Sequence, residues 1–299
     1  SMKTLNIGIS TKVFDRFSVE LEFYNRQTDD MLMGYPLSYT TGHGSSVENV
    51  ASMRNRGFDI TLGVDILKMR DFSWSVSGNL NYNKNEITKL FNGLDEYTLP
   101  DTGLKMKVGK PWGEYYYVRW AGVDPRDGYN TWYDKNGNLT KSYSEEDAVF
   151  VGKQRYAPWS GGFGTQFGWK GISVSADFSF MLGQYMLNNE RFFTENPTFA
   201  GSDNQTVEML TMWQKPGDVT RISTPDSPMQ FDTHLLENAS FMRMKNLTVV
   251  ISNARVYFVG RNLLTVTKYK GYDPEVDSNI QLGNYPNTKQ YSFGVELTF

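Results

Sequence analysis

The feature that most restricts how this chain folds is a strict alternation of apolar and polar residues over long stretches. Phe17, Val19, Leu21 and Phe23 alternate with Ser18, Glu20 and Glu22. Phe58, Ile60, Leu62, Val64 and Ile66 alternate with Asp59, Thr61, Gly63 and Asp65. The same pattern runs through Phe72 to Asn83, through Ile172 to Phe180, and through Tyr291, Phe293, Val295, Leu297 and Phe299. A pleated strand sends successive side chains to opposite faces. Each stretch therefore has one apolar face and one face of Ser, Asn, Asp and Glu, with almost no helical periodicity elsewhere.

Soluble sandwiches also alternate, with the apolar face inward. Three features separate this chain from them. The strands run about nine to eleven residues or longer, the length of a tilted membrane-spanning strand, whereas soluble strands average about five or six. Aromatics stand near strand ends, at Phe17 and Tyr24, Phe72 and Tyr82, Trp169, Tyr291 and Phe299, as in the aromatic girdles of outer-membrane barrels. Tight turns (Asp15-Arg16, 68–71 and Lys170-Gly171) alternate with long polar segments (27–53, 124–158, 184–239 and 267–289). Short periplasmic turns and long extracellular loops are the mark of transmembrane barrels. In a compact soluble domain, structureless loops of that length argue against the assignment.

With the short turns on the periplasmic side, the expected strands are 3–14, 17–28, 54–66, 72–86, 103–109, 113–123, 159–169, 172–183, 240–251, 254–266 and 289–299. The segment 103–109 is included to keep the parity of the short turns. Eleven crossings is odd, whereas bacterial single-chain barrels carry an even number. An open sheet edge cannot face lipid, because its backbone groups would be unsatisfied there. The expectation is an all-β, antiparallel transmembrane β-barrel segment. Residues 1–299 are expected to form a single domain, the C-terminal half of a larger barrel.

Composition narrows function. The net charge of −3 gives no reason to expect nucleic-acid binding. The absence of cysteine excludes disulfides and thiolate metal sites. No apolar run reaches the roughly 20 residues of a membrane helix, and the start, "SMKTLNIGIS", reads as a strand rather than a signal peptide.

The segments "RNRGFDITL" (54–62), "FSWSVSGNLNYNKNEITKL" (72–90), "YAPWSGGFGTQFGWKG" (156–171), "LENASFMRMKNLTV" (236–249), "RVYFVGRNLLTVTKYKGYDPEV" (255–276) and "NYPNTKQYSFGVELTF" (284–299) resemble the C-terminal barrel of SusC/RagA-type TonB-dependent transporters. These are outer-membrane nutrient importers of Bacteroidetes. The resemblance covers essentially the whole chain and implies a barrel of about 22 strands, of which eleven is half. It implies import of oligosaccharides or peptides, a SusD-like surface lipoprotein as partner, and TonB acting through a plug domain absent from this sequence. It implies outer-membrane lipid around the wall, no cofactor, and a C-terminal strand ending at Phe299 that outer-membrane assembly machinery reads. One departure stands out. The family's turn with Pro and basic residues after "KNLTV" is missing, so Ser252-Asn253 must turn the chain unless residues are absent there.

Other chemistries fare poorly. His43 and His234 are the two histidines, and no Gly-x-Ser-x-Gly elbow or placed acid accompanies them, so no catalytic residue is assigned. Asp273, Glu275 and Asp277 in "GYDPEVDSN" are a weak calcium candidate, because the spacing lacks the glycine and closing Glu of an EF-hand. "YDKNGN" (133–138) reads as a type I′ hairpin. "ERFFTE" and "TVEMLTMWQK" are expected as short helices. Trp112, Tyr129, Trp132, Tyr133, Tyr156 and Trp159, in or beside predicted loops, are the ligand-binding candidates, since flat aromatic faces stack on sugars. A non-transport barrel, adhesin or enzyme, fits the strands but not the family segments. A soluble glycan-binding sandwich would bury the alternating faces. The membrane reading predicts that the isolated chain needs detergent and aggregates without it. A stable monomer in plain buffer with cooperative unfolding, measured by sedimentation and denaturant titration, would overturn it.

Overall fold

The computed structural model describes residues 1–36, 39–42, 45–99, 104–251, 256–278 and 280–296. Among these, nine strands form one sheet: Met2–Val13, Phe17–Pro36, Ser45–Lys68, Phe72–Leu90, Trp159–Trp169, Ile172–Leu182, Phe241–Ile251, Val256–Thr267 and Gln290–Val295. Each pairs antiparallel with the next in chain order, so the sheet is a simple meander. Every short connection falls on one edge and every long one on the other. Lys170 and Gly171 take φ of 43° and 85°, the two positive values that a type I′ hairpin needs to match strand twist. Phe14 and Asp15 do the same at the first turn, both at φ 53°. The family-divergent turn at Ser252-Asn253 lies outside the described residues, as do His43, Leu297 and Phe299.

Register sorts the two faces. Glu22, Asp59, Asn81, Ser160, Met181 and Phe241 stand side by side across six strands. One residue along, Phe23, Phe58, Tyr82, Trp159 and Leu182 form the neighbouring row on the opposite face. The apolar face carries Phe163 stacked on Phe178, with ring centroids 4.7 Å apart. It also carries Tyr291, Phe293 and Val295, which are 62%, 80% and 65% exposed. Such a contiguous apolar surface is suited to lipid rather than water. The polar face is the inner one, because the long loops fold back onto it alone. The backbone N–H of Trp112 donates to Asn85 Oδ1, and Arg243 holds Asp273 and Glu275. Tyr24, expected in a girdle, is also inward. It lies across Gly57, where a Cβ would sit 2.5 Å from the Tyr24 hydroxyl and 1.9 Å from the Tyr82 carbonyl.

Two expectations are corrected. Segments 103–109 and 113–123 do not cross the wall. Strand Phe72–Leu90 pairs directly with Trp159–Trp169, and the residues between them form small sheets on the long-loop side. Leu104–Lys107 pairs with Glu96–Leu99 and touches Glu114–Tyr117, which pairs with Val149–Gln154. These strands are four to six residues long, too short to span. Successive residues of one of them, Glu114 and Tyr115, are both buried, so it serves a packed core rather than a lipid face. Removing both segments preserves the parity that led to including one. The segment 27–53 is mostly not a loop either: strands Phe17–Pro36 and Ser45–Lys68 stay paired as far as Pro36 and Ser45. Beyond the lipid band, period-two apolarity is no longer required, and the pattern fades while the hydrogen-bond ladder continues.

The loops build their own core. Leu104, Tyr115, Tyr117, Leu187, Met229 and Leu235 cluster, bringing residues of 91–158 against those of 183–240. "ERFFTE" lies largely in helix Asn189–Thr194, and 206–215 contains a short 3-10 turn, Val207–Thr211. No helix among the described residues is long and apolar enough to cross a membrane.

The face assignment predicts that Phe178→Arg destabilises the folded barrel by about 2–4 kcal/mol, the cost of a basic side chain on a lipid face near mid-bilayer. Ser175→Arg, on the inner face, has a much smaller effect. Denaturant titration of the vesicle-inserted protein measures both.

Candidate lumenal binding site

The inner face and the loops enclose a cavity of about 600 Å³. Its wall side is built from Asn55, Asn81, Asn83 and Asn85, which period two places on one face of two neighbouring strands. The amides bind each other. Asn83 Nδ2 and Asn85 Nδ2 both donate to Asn55 Oδ1, at 3.1 and 2.8 Å. Asn81 Nδ2 donates to Asp59 Oδ1 at 2.6 Å, and the Tyr24 hydroxyl donates to Asn83 Oδ1 at 3.2 Å. Asn55 Nδ2 and Asn81 Oδ1 have no protein partner among the described residues. A side-chain amide offers two donors and one acceptor oxygen, so this ladder leaves both N–H groups of Asn55, one of Asn83 and the Asn81 oxygen for a visitor.

The loop side brings Trp112, Arg155, Tyr156, Glu275 and Asp277 to the same cavity. Trp112 reaches it from the turn before strand Glu114–Tyr117, fixed by the 2.7 Å bond from its backbone N–H to Asn85 Oδ1. Tyr156 packs over Gly113, whose φ is +81°, and the Arg155 guanidinium stands 4.9 Å from the Tyr156 ring centroid. Arg155 also pairs with Asp277 at 2.6 Å, joining the loop after residue 267 to the loop before residue 159.

The six aromatics singled out in the sequence therefore separate. Trp112 and Tyr156 line the cavity. Trp159 stands on the outward face, edge-on to Phe58 at 5.8 Å and 4.5 Å from Tyr82, as a girdle residue. Trp132 is 3% exposed and donates to Asp232 Oδ2 at 2.6 Å, a packing role. Tyr129 and Tyr133 flank the loop hairpin away from the cavity, Tyr133 beneath the Arg119 guanidinium. That hairpin is not type I′. Gly137 takes φ 89° while Asn136 does not take a positive value, and Asp134 Oδ1 accepts from the N–H groups of Asn136 and Asn138. The carboxylate caps the turn, so a glycine is needed at only one position. The asparagine ladder was missed as a binding surface, although its spacing at 79, 81, 83 and 85 was visible.

The three acidic residues of "GYDPEVDSN" face cations of the protein. Asp273 pairs with Arg243 at 2.6 Å, and both side chains are almost fully buried. Glu275 pairs with Arg243 at 2.7 Å and with Lys245. With Asp277 held by Arg155, the calcium reading gives way to ion pairing. Among the described residues no cluster of His, Asp or Glu is arranged to hold a metal. Burial works to raise the Asp273 pKa, but Arg243 and the N–H groups of Asn287 and Glu275 outweigh it and hold the carboxyl below its ordinary value.

An apolar outer face, a polar inner face and loops folded inward over a cavity define the wall of an outer-membrane-type β-barrel. No protein-family model matches the chain. Over 98% of its length it is 40% identical to a chain of the RagAB peptide transporter, with a TM-score of 0.92, covering 35% of that chain. It is 25% identical to TonB-dependent receptor P3 of Formosa agariphila, across 99% of this chain and 34% of that receptor. It is also 25% identical to TonB-dependent receptor SusC of Bacteroides thetaiotaomicron, across 99% of this chain and 32% of SusC. The chain thus spans about a third of the length of the relatives it matches. It is a β-barrel portion of a SusC/RagA-type TonB-dependent receptor, and these relatives are receptors and transporters rather than enzymes.

Breaking a buried ion pair by removing one partner costs about 3–5 kcal/mol. Arg243→Ala is therefore expected to free the 267–289 loop, read as faster hydrogen exchange there with the wall strands unchanged. Because the Asp273 pKa is depressed on folding, its contribution is present above the ordinary carboxylate value of about 3.9 and is lost as pH falls below it. Exchange in the loop should rise on acidification in the wild type and change less in the variant.

Proposed function

We propose that the intact protein is a TonB-dependent nutrient importer of the outer membrane. This chain, as one domain forming the C-terminal half of the barrel, supplies its wall and extracellular loops. The lumenal cavity carries this reading. It joins an amide ladder with unpaired hydrogen-bonding groups to two aromatic rings, Trp112 and Tyr156, on the path between the loops and the inner wall. Amides and aromatic faces suit an uncharged polar chain, an oligosaccharide or a peptide backbone, which offers alternating polar and apolar surfaces. The RagAB relative is a peptide transporter, which supports the peptide alternative. In this reading a SusD-like lipoprotein caps the long-loop side, TonB acts through the plug on the short-turn side, and Tyr291 to Phe299 forms the strand recognised during assembly.

Tyr156→Ala in the intact receptor should reduce uptake of labelled oligosaccharide or peptide by about twofold to about tenfold, the worth of one aromatic contact of about 0.5–1.5 kcal/mol. Tyr133→Ala should leave uptake unchanged. Equal uptake by Tyr156→Ala and wild type, at equal surface abundance, would remove the cavity from the transport path.

A further inference from the structure

A second pocket, of about 270 Å³, lies among the long loops and shares no residue with the lumenal cavity. Two parallel rings line it: Trp120 and His234 stack with centroids 3.9 Å apart and planes within 4°. Arg191 Nη2 lies 3.3 Å from His234 Nε2. A guanidinium only donates, so Nε2 accepts, the ring is neutral and its proton is on Nδ1. His234 is 5% exposed, and its Nδ1–H has no partner among the described residues. Burial foremost, then the charges of Arg191, Arg221 and Lys270, disfavour a second proton on this ring.

The surrounding cations are unequal. Arg191 is neutralised by Glu195 at 2.7 Å and Glu237 at 2.9 Å. The other oxygen of Glu237 accepts the backbone N–H of Lys270 at 2.8 Å, so both its oxygens are engaged. Arg221, Lys268 and Lys270 line the same pocket and make no ion pair among the described residues. Glu195, Glu237 and Glu208 act on Arg221 only at a distance, and Glu237, which also lines the pocket, is held by Arg191, so the three cations are left without a direct ion-pair partner among the described residues.

We propose that this pocket is a carboxylate-binding subsite on the loop face of the receptor. Arg221, Lys268 and Lys270 would neutralise the anion, and His234 Nδ1–H would donate to it. Hydrogen bonds to ionised groups are worth more than neutral ones, so discrimination between a carboxylate and its amide or alcohol counterpart should be large. The carboxylate can be carried by an acidic peptide or by a uronic-acid sugar, and matched probes distinguish the two.

The test uses the full-length receptor in detergent and calorimetric titration. One pair of probes is N-acetyl-Ala-Glu-amide and N-acetyl-Ala-Gln-amide. The other is methyl glucuronoside and methyl glucoside. The acidic member of at least one pair should bind about tenfold tighter or better, since a charged hydrogen bond is worth about 1.5–3 kcal/mol. Preference in the first pair alone names peptides as the source, and in the second alone names sugars. Preference in both shows that the carboxylate itself is read. The double variant R221Q/K268Q, both positions exposed, should lose the preference, and Tyr156→Ala should keep it. No preference in either pair, persistence in R221Q/K268Q, or loss in Tyr156→Ala would overturn the proposal. Because the lumenal reading is tested by uptake and this one by binding of matched probes, either can fail without the other.

Discussion

The backbone hydrogen-bond ladder governs everything else in this molecule. A strand in a bilayer has no water to satisfy its amides, so each amide must find a neighbouring strand. Once nine strands are locked edge to edge in a meander, the side chains have no freedom of placement beyond parity. From Phe72 to Ile87 odd residues face in and even residues face out, until a register shift turns Leu90 into the same cluster as Ile87, and register carries the choice of face from strand to strand. The asparagine ladder and the aromatic rows are two readings of one constraint.

The loops depend on the same ladder in a different way. They are anchored by few contacts, and those contacts are strong. Arg243, at the long-loop end of its strand, binds Asp273 and Glu275, and Asn85 accepts the Trp112 backbone N–H. Each anchor sits on an inward position. The cavity forms because the anchors hold the loops at the polar face while leaving the space between Asn55 and Tyr156 unfilled. Aromatic side chains that look alike in sequence acquire different duties from this geometry. Trp159 is set by wall parity, Trp132 by the loop core, and Trp112 by an anchor.

The wall was legible because period two is a local property with a single physical cause. Strands 159–169 and 172–183 were read within a residue of their observed limits, Trp159–Trp169 and Ile172–Leu182. Legibility stopped where lipid stopped. Outside the bilayer a strand needs a partner but no apolar face, so the continuation of Phe17–Pro36 beyond residue 28 left no signature. The four-residue strands around Met106 and Tyr115 mimicked a crossing pair, because two short apolar segments with a tight turn between them look the same in either setting. At the site, Trp112 and Tyr156 were identifiable by residue type alone, but type could not separate them from Tyr129 or Tyr133. The ion pairs of Asp273 and Glu275 were hidden because Arg243 lies 30 residues away in sequence from Asp273, within a strand that reads as wall.

The direct pairing of Phe72–Leu90 with Trp159–Trp169 has an evolutionary consequence. Residues 91–158 leave the sheet and return to it without adding a strand between its neighbours: Gly109 and Lys110 bond the backbone of Ile87 and Pro158 accepts from Asn83, while Trp159 pairs directly with Tyr82. The excursion behaves as a cassette. Its length and contents can drift, lengthen or be exchanged while the seam beneath it keeps its register. The loops can then change without altering the pairing of the strands beneath them.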